Sequence, residues 1–271
     1  MRASVILPIR NQDAYVKQAV FAVLSHTVVP FELILVNDAS GRSICSYLRH
    51  LPKQRLIDDP TNAVQDIKIY QQKIRRGFPV TCNNGIKYAQ GEYICLLNTD
   101  TWVTPKWLQK MIEVGDALPR AGILGPSTNI GKQVLSYKVI SRMRDLNKIG
   151  ALIARENAGL LQEMYLSGFC FVVKKEVFDK VGLFDERFGL GTGEEGEFTT
   201  RAIDANYQSL WVKDAYVHHF GGKSFKADKI NGHRLRSLTQ RLANAITDER
   251  RGKKPKHDID ALIQRIQKFN R

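Results

Sequence analysis

The sequence has few cysteines, and none of the spacings that bind zinc or build a disulfide framework. Cys45, Cys82, Cys95 and Cys170 are scattered through the 271 residues without a C-x-x-C pair. This distribution indicates neither a zinc cluster nor a disulfide-stabilised secreted scaffold. We expect the four thiols to be reduced, and most of them to be buried as small apolar side chains.

Long hydrophobic runs are also missing. No stretch approaches the roughly 18 consecutive apolar residues of a membrane-spanning helix. The apolar run in "MRASVILPIRNQ" is much too short for the core of a signal peptide. We therefore expect a cytoplasmic protein. With 43% hydrophobic and 25% charged residues, the chain is suited to one large α/β domain, with or without a small appendage.

Positive charge is concentrated at the end of the chain. The formal net charge is +14, and residues 223–271 hold 14 Lys and Arg against 5 Asp and Glu, a net of +9 that leaves +5 for the rest. Such a segment suits an anionic surface, namely membrane phospholipid, nucleic acid or a lipid-diphosphate acceptor. The alternative is a solvated helical face that keeps the protein soluble, and the sequence leaves both open.

Strand and helix patterns alternate in the first half of the chain. Residues 4–7 form a β-rich run that Pro8 is expected to stop, and "FELILVNDASG" and "EYICLLN" repeat the order of a strand followed by polar residues. A helix is predicted at about residues 78–89, and another with Thr104 as its N-cap and Pro105 as its first residue. This alternation predicts a mostly parallel central sheet flanked by helices.

The second half of the chain is less regular. Residues 127–163 are basic and punctuated by glycine, as in a lid or an acceptor-side insertion. "YLSGFCFVVKKEVFDKVG" predicts a strand and a short helix, and "DERFGLGTGEEGEFTTRAIDANY" predicts a glycine-rich loop that leads into a helix. "QSLWVKDAYVHHFGGKSF" predicts a strand pair ending at His218 and His219. Two helices, at about 232–248 and 258–269, are predicted for the basic tail.

Acidic and histidine side chains recur at the predicted strand ends and in the glycine-rich loop. Asp38 and Asp100 follow strands, the glutamates of residues 194–197 lie in the loop, and His219 ends a strand. Such groups can converge at the carboxyl edge of a parallel sheet. A carboxylate with a histidine can hold a divalent cation over a diphosphate, and a separate carboxylate can deprotonate an incoming hydroxyl. The structural alternative is that Asp38 only caps a turn.

Four ordered blocks resemble the family 2 glycosyltransferases of the GT-A fold, and are most similar to the rhamnosyltransferase-like branch. They are "SVILPIRNQDAYVKQAVFAVLSHTVVPFELILVNDASG", "GFPVTCNNGIKYAQGEYICLLNTDTWVTPKWL", "SGFCFVVKKEVFDKVGLFDERFGLGTGEEGEFTTR" and "HHFGGKSF". The resemblance implies a GT-A (Rossmann-like) domain over residues 1–225, with a donor-binding half at about 1–125 and an acceptor-side half at about 126–225. Residues 226–271 would form a basic helical C-terminal extension. The activity implied is an inverting, Mn²⁺- or Mg²⁺-dependent transfer of a sugar from a UDP- or dTDP-type donor.

The same resemblance implies roles for individual residues. Asp100 corresponds to a metal ligand, with His219 completing the metal or diphosphate site. Glu195 corresponds to the general base; because the family usually has Asp at this position, Glu194 and Glu197 stay open as alternatives. Nucleotide-sugar contacts are implied for six residues, Pro8, Ile9, Asn11, Asp38, Asn83 and Asn98. Among these, Asp38 would accept from the ring N–H of the base, and Asn98, in place of a common aspartate, would hydrogen-bond the donor.

The acceptor is less defined than the donor. The resemblance favours a surface glycan or a lipid-linked saccharide, with the basic tail resting on the inner face of the membrane. A second hypothesis is a DNA-modifying glycosyltransferase that acts on a hydroxylated base and holds nucleic acid with its tail. A third is a non-catalytic module that binds nucleotide-sugars or glycans.

Overall fold

Four parallel strands form the first half of the central sheet. The computed structural model describes residues 1–135, 144–221 and 231–270. The four strands are β1 (Ala3–Ile9), β2 (Phe31–Asp38), β3 (Val64–Gln72) and β4 (Tyr93–Leu97). Their order is β3-β2-β1-β4, and every neighbouring pair is parallel. All carboxyl ends therefore lie at one edge.

Helices cover both faces of this half. They are α1 (Asp13–His26), α2 (Arg42–Arg49), α3 (Lys53–Asp58) and α4 (Phe78–Lys87). Successive side chains of β1 point to opposite faces, so Val5 packs in the same apolar cluster as α1, whereas Ile6 packs with Cys82 and Ile86 of α4. The predicted alternation is confirmed here, although the sequence did not predict α2 and α3.

The predicted end of β1 at Pro8 is wrong. Pro8 pairs with Val36 of β2, and the strand continues to Ile9. On the other side, the pairing with β4 ends at Ile6 and Leu96. Pro8 therefore has a neighbouring strand on one side only, and this is the situation in which strands tolerate a residue without an N–H group.

The second half of the sheet is mixed. It consists of β5 (Thr101–Val103), β6 (Ala121–Ser127), β7 (Leu161–Glu163), β8 (Cys170–Lys174) and β9 (Gln208–His219). The order continues from β4 as β8-β6-β9-β5, with β7 also paired to β9. β6 and β9 are parallel, and the other pairings, including β4 with β8, are antiparallel. The parallel character expected of the whole sheet thus belongs mainly to the first half.

β9 is one long strand, which corrects the predicted strand pair. Lys213 and Asp214 lie where the register with β6 shifts, from Val212 opposite Pro126 to Tyr216 opposite Ser127. The extra residues form a bulge that bends the strand without ending it. Beyond the bend, β9 leaves β6 and pairs with β5.

The predicted helix start at Thr104 and Pro105 is also wrong. The short strand β5 comes first, and the helix α5 (Trp107–Ala117) begins after Lys106. Thr104 does not cap this helix, because its hydroxyl donates to the backbone oxygen of Tyr216 at 2.8 Å. The side chain that looked like a cap therefore ties the end of β5 to β9.

The remaining helices of the domain are α6 (Leu146–Glu156), α7 (Lys175–Val181) and α8 (Glu194–Asp204). The strand-helix order of β8 and α7 confirms the prediction for that block. α6 occupies part of the segment 127–163 that the sequence left unassigned, and residues 136–143 of that segment lie outside the described residues.

The basic tail folds as two helices, as predicted. They are α9 (Gly232–Arg250) and α10 (Ile259–Gln267). Leu235 and Leu242 of α9 and Ile266 of α10 are buried in a cluster with Phe188 and Leu190, which precede α8. One face of the tail therefore packs against the domain. The division at 225/226 stays a prediction, since residues 222–230 lie outside the described residues.

The cysteines are placed as expected. Cys82, Cys95 and Cys170 are buried, Cys45 is half-buried, and all four are free. None of the helices in the described part of the chain combines the length and the apolar character that a membrane span requires.

Candidate active site

Asp100 and His219 come together where β4 leads into β5. Asp100 is only 6% exposed, and its backbone oxygen accepts from the N–H of Phe220 at 2.8 Å. Thr101 lies opposite His219 in the β5–β9 ladder. This register brings the His219 Nε2 atom to 3.3 Å from the Asp100 Oδ1 atom. Two residues that are 119 positions apart in the sequence therefore meet as predicted.

The chemistry of this pair fits a divalent cation. The Nε2 atom of His219 is buried and has no hydrogen-bond partner among the described residues. A buried orphan nitrogen beside a carboxylate oxygen is suited to a metal, and an ion such as Mg²⁺ commonly takes one or two protein ligands together with substrate phosphates. Within the described ranges no cluster of three or more His, Cys, Asp or Glu side chains could hold a metal. The pair would thus need oxygens from a bound substrate.

The position of His219 is fixed by neighbours that leave Nε2 unused. Its N–H donates to the Asn129 Oδ1 atom at 2.7 Å, and its backbone oxygen accepts from Asn129 Nδ2 at 3.1 Å. Its ring stacks on that of Phe169, with 5.0 Å between centroids. His218 points elsewhere, since its Nδ1 atom lies 3.0 Å from the Tyr216 hydroxyl. Burial and the neighbouring His219 lower the pKa of His218.

Asn98 shapes the turn that carries Asp100. Its N–H donates to the backbone oxygen of Phe169 at 2.8 Å, and its own backbone oxygen accepts from the Thr101 hydroxyl at 2.6 Å. The side chain is half-buried. Asn98 therefore lies in the same turn as Asp100, as the predicted motif requires, and its role toward a donor stays a prediction.

Asp38 closes the loop ahead of α4. It ends β2, is 4% exposed, and accepts from the N–H groups of Arg76 at 2.6 Å and Gly77 at 3.0 Å. The simple turn cap considered from the sequence is therefore not what Asp38 does. Because a carboxylate has about four acceptor sites, the two remaining ones are available to a ligand.

The residues at the end of β1 are held largely by contacts within the protein. The side chain of Ile9 is fully buried in the core, so only its backbone could face a nucleotide, and the implied contact stays a prediction. Pro8 is half-buried. Asn11 adopts a left-handed conformation, with φ of 54°, and its Oδ1 atom accepts from the N–H of Gly41 at 3.0 Å. Asn11 therefore joins the loops after β1 and β2.

Asn83 hydrogen-bonds within the protein, and its implied contact with a donor stays a prediction. Its Nδ2 group donates to the Phe184 backbone oxygen at 2.9 Å and to the Glu186 carboxylate at 3.1 Å, and its Oδ1 atom accepts from the N–H of Phe184 at 3.0 Å. The residue is buried in α4. Its function is to hold the segment that leads toward α8.

The acidic cluster forms the first turn of α8, and not a glycine-rich loop as predicted. Gly193, with φ of 108°, is the N-cap, and Glu194 is the first helical residue. Carboxylates are favoured there because the N–H groups of a first turn have no intrahelical acceptors. Glu194 is 3% exposed, and its Oε2 atom has no partner in the described part of the chain. Burial, and then the charge of Glu195, raise the pKa of Glu194 well above its usual range.

Glu195 and Glu197 differ in burial and in the partners that their carboxylate oxygens already have. Glu195 is half-buried, and one carboxylate oxygen accepts from the N–H of Gly193 at 2.9 Å. Glu197 is buried, binds Arg201 at 2.9 Å, and pairs with Arg250 of the tail. Because both of its oxygens are occupied by guanidinium groups, Glu197 is not suited to act as a base.

Residues Gly168 and Phe169 connect the acidic turn to the Asp100–His219 pair. A Cβ atom on Gly168 would lie 3.4 Å from the carboxyl carbon of Glu195, and the ring of Phe169 stacks on His219. The sequence analysis missed this pair of residues, although "SGF" lies inside a resembling block. It also missed Arg250, for which the sequence holds no local signal because its partner Glu197 is 53 positions away.

The arrangement as a whole is that of the GT-A fold, and known structures share it. The mannosyltransferase PcManGT from Pyrobaculum calidifontis, in complex with GDP-Man and Mn²⁺, matches with a TM-score of 0.63 and 16% identity over 99% of this chain and 70% of that chain. TarS 1-349 of S. aureus, in complex with UDP-GlcNAc, matches with a TM-score of 0.63 and 14% identity over 99% of this chain and 71% of that chain. The predicted fold class is confirmed.

The sequence assigns the family. Residues 4–182 match the family described as glycosyl transferase family 2, and the chain belongs to it. An uncharacterized glycosyltransferase of Haemophilus influenzae is 26% identical over 40% of this chain and 40% of its own length. The O-antigen biosynthesis protein RfbC of Myxococcus xanthus is 23% identical over 84% of this chain and 18% of its own length. The chain thus spans well under half the length of these relatives.

Proposed function

We propose that the protein is a metal-dependent inverting glycosyltransferase that moves a sugar from a nucleoside diphosphate to a hydroxyl group. The observation that carries this proposal is the juxtaposition around Gly168 and Phe169. The Asp100–His219 pair, with its orphan nitrogen, lies on one side, and the partly exposed carboxylate of Glu195 lies on the other. Family membership supports the same reaction class.

The donor would extend from the end of β2 to the end of β4. Asp38 retains acceptor sites for the ring N–H of a nucleotide base, as in the UDP- or dTDP-type donor proposed here. Asn11 and the backbone of Ile9 border the same edge. Solved structures of the same fold contain GDP-Man with Mn²⁺ and UDP-GlcNAc, and these complexes support a nucleotide-sugar in this protein.

Asp100 and His219 would hold the divalent cation, Mn²⁺ or Mg²⁺. When bound, the ion supplies positive charge that stabilises the diphosphate leaving group. Asp100 contributes a buried carboxylate oxygen, and His219 contributes the Nε2 atom, which its backbone contacts with Asn129 keep in place. Asn98 would hydrogen-bond the donor from the same turn.

Glu195 would act as the general base. Its carboxylate takes the proton of the acceptor hydroxyl, the hydroxyl oxygen forms a bond to the anomeric carbon, and the bond from that carbon to the diphosphate oxygen breaks. Attack opposite the leaving group inverts the configuration. Glu194, the buried neighbour in the same turn, stays the alternative base; burial and then the charge of Glu195 raise its pKa.

A surface glycan or a lipid-linked saccharide is the proposed acceptor. Two relatives support it by name: the O-antigen biosynthesis protein RfbC, and the minor teichoic acid biosynthesis protein GgaB of Bacillus subtilis. The basic tail would contact an anionic surface through the exposed Lys253, Lys254 and Lys256 that join its two helices. Binding to anionic liposomes supports a peripheral membrane enzyme, whereas steep salt-dependent binding to duplex DNA supports a DNA-modifying enzyme.

The decisive experiment is a panel of nucleotide-sugars tested for release of the free nucleoside diphosphate. We expect release from one donor with Mn²⁺ or Mg²⁺ present and none after chelation. Asp100→Ala should abolish it, and Glu195→Gln should abolish transfer but leave nucleotide binding intact. Binding of a nucleotide-sugar without release from any donor, with either metal, would instead identify a non-catalytic binding module.

A further inference from the structure

A cavity lies on the outer side of α4, outside the candidate active site. Its volume is about 300 Å³, at the lower end of the range for small-molecule sites. The polar residues that line it come from three segments, namely the end of β3 with the following loop, α4, and the turn before α8. They are Gln72, Lys73, Arg76, Asn84, Lys87 and Glu186.

Positive charge predominates in this cavity. Lys73, Arg76 and Lys87 are exposed, and none of them forms a salt bridge with a described residue. The single acidic residue of the lining, Glu186, accepts a hydrogen bond from Asn83 at 3.1 Å. Three cations around one concave surface repel one another, and an anion between them would relieve that repulsion. The charge of the lining thus favours an anionic ligand.

One residue of the lining, Gln72, also has an acceptor atom without a hydrogen-bond partner among the described residues. The Nε2 group of Gln72 donates to the Thr81 hydroxyl at 2.9 Å, but its Oε1 atom is buried and has no hydrogen-bond partner among the described residues. A buried carbonyl oxygen is normally satisfied by a donor. An anion cannot donate to it, whereas a hydroxyl can. The lining therefore matches a ligand that carries both negative charge and hydroxyl groups.

We propose that this cavity binds an acidic saccharide, that is, a sugar bearing a phosphate or carboxylate group. The cations would contact the acidic group, and Gln72 would accept from a hydroxyl. If the protein transfers glycosyl groups as proposed above, the cavity holds an acidic unit of the acceptor glycan. That role rests on the proposed function, although the binding itself does not.

Contacts between loops connect the cavity to the active site. Arg76 lines the cavity with its side chain and donates its backbone N–H to Asp38. Gly77, the next residue, lies so close to Gly189 that a Cβ atom there would be 2.1 Å from the Gly189 oxygen. The loop bearing Arg76 therefore touches both the Asp38 region and the segment leading to α8. A saccharide in the cavity would contact the loops that border the proposed donor and base.

The test is the binding of small acidic sugars to the full chain. Glucose 6-phosphate and glucuronic acid serve as probes for the two acidic groups, glucose is the neutral control, and binding is measured by ligand-observed NMR at low ionic strength. We expect at least one acidic probe to bind and glucose not to bind. The double variant Lys73→Gln/Lys87→Gln should weaken that binding by roughly tenfold or more, because two charge-assisted contacts are lost. The identity of the probe that binds distinguishes phosphate from carboxylate.

A matched control distinguishes binding in this cavity from attraction by the general positive charge of the protein. Lys253→Gln/Lys254→Gln removes the same two charges from the exposed tail connection, and it should leave binding unchanged. Three results would overturn the proposal. They are equal weakening in both double variants, no effect of Lys73→Gln/Lys87→Gln, and no binding of either acidic probe. Release of nucleoside diphosphate is measured separately: a protein that turns over its donor but binds no acidic probe refutes this inference alone.

Discussion

The buried polar groups at the two ends of the candidate active site differ in their hydrogen bonding. At the β2 end, Asp38 and Asn83 bind backbone and side-chain groups of the protein itself. At the β4 and α8 end, the His219 Nε2 and Glu194 Oε2 atoms are buried and have no hydrogen-bond partner among the described residues, although His219 Nε2 lies 3.3 Å from the Asp100 Oδ1 atom. Buried polar groups normally have hydrogen-bond partners. The residues at the first end therefore hold the site together, whereas those at the second end have an atom left for a ligand.

This comparison predicts which substitutions affect activity and which affect folding. Groups that lack partners contribute little to the free energy of unfolding, so their removal should reduce catalysis and leave the fold intact. Removal of groups that hydrogen-bond within the protein should also lower the free energy of unfolding. The following variants test the division, starting from the largest expected effect.

Glu195→Gln should have the largest effect on turnover. Removing the general base should lower kcat by about 1,000-fold, while nucleotide affinity and the melting temperature stay within error. The Gln side chain keeps the volume, and it can still accept from the N–H of Gly193. Near-normal turnover would show that Glu194 or another group takes the proton.

Asp100→Asn should reduce metal affinity first and activity as a consequence. We expect a loss of about 100-fold in kcat/KM at fixed Mn²⁺, partly restored by excess metal, and measured by Mn²⁺ titration with electron paramagnetic resonance. Asp179→Asn, an exposed residue of α7 with the same change in charge, is the control. Unchanged Mn²⁺ binding in Asp100→Asn would contradict the assignment of the metal pair.

Sequence reasoning reached the β4 end of the site more easily than the β2 end. Asp100 follows an apolar strand, and this pattern is local, so the sequence shows it directly. The partners of Asn83 are about 100 positions away, and no periodicity encodes them. The resemblance implies a donor contact for Asn83, but a position within a motif does not specify which neighbours a side chain meets.

The errors in the fold have local physical causes. β5 has three residues, too few for a period-two pattern to be distinguished from the start of a helix. In β9, Lys213 and Asp214 have the composition of a turn, but they form a bulge in a continuous strand. The alternation of long strands and amphipathic helices is a stronger signal, and it was sufficient to predict the first half of the sheet and both tail helices.

Gly77→Ala tests how much the loop that donates N–H groups to Asp38 contributes to stability. Gly77 has φ of 87°, and a Cβ atom would lie 2.1 Å from the oxygen of Gly189, so strain and overlap should together cost about 2–4 kcal/mol of unfolding free energy. Gly159→Ala is the matched control, because its φ is 73° but no atom lies within 4 Å. That variant should cost only about 1 kcal/mol. Equal losses in urea denaturation would show that the contact between the two loops is unimportant.

Arg250→Gln tests whether the tail stabilises the acidic turn. Arg250 pairs with the fully buried Glu197, which keeps Arg201 as its second partner, so we expect a loss of about 1–2 kcal/mol. Arg251→Gln removes the same charge from an exposed pair with Asp204, and should cost less than about 0.5 kcal/mol. A tail that only carries surface charge would give equally small losses in both variants.

The smallest expected effect concerns Glu194 and depends on pH. Burial raises the pKa of this carboxyl well above its usual value near 4.5, so above pH 4.5 the native state keeps a proton that the unfolded state releases. Stability attributable to Glu194 therefore falls as pH rises from that value toward the native pKa. Glu194→Gln removes this dependence: it should match the wild type near pH 4 and exceed it in urea midpoint at pH 8. Glu176→Gln, on the exposed face of α7, should shift neither midpoint. A variant that is less stable at pH 8 would instead mean that the Glu194 carboxylate is charged and stabilised in the native protein, and the comparison between the two ends of the site would then rest on His219 alone.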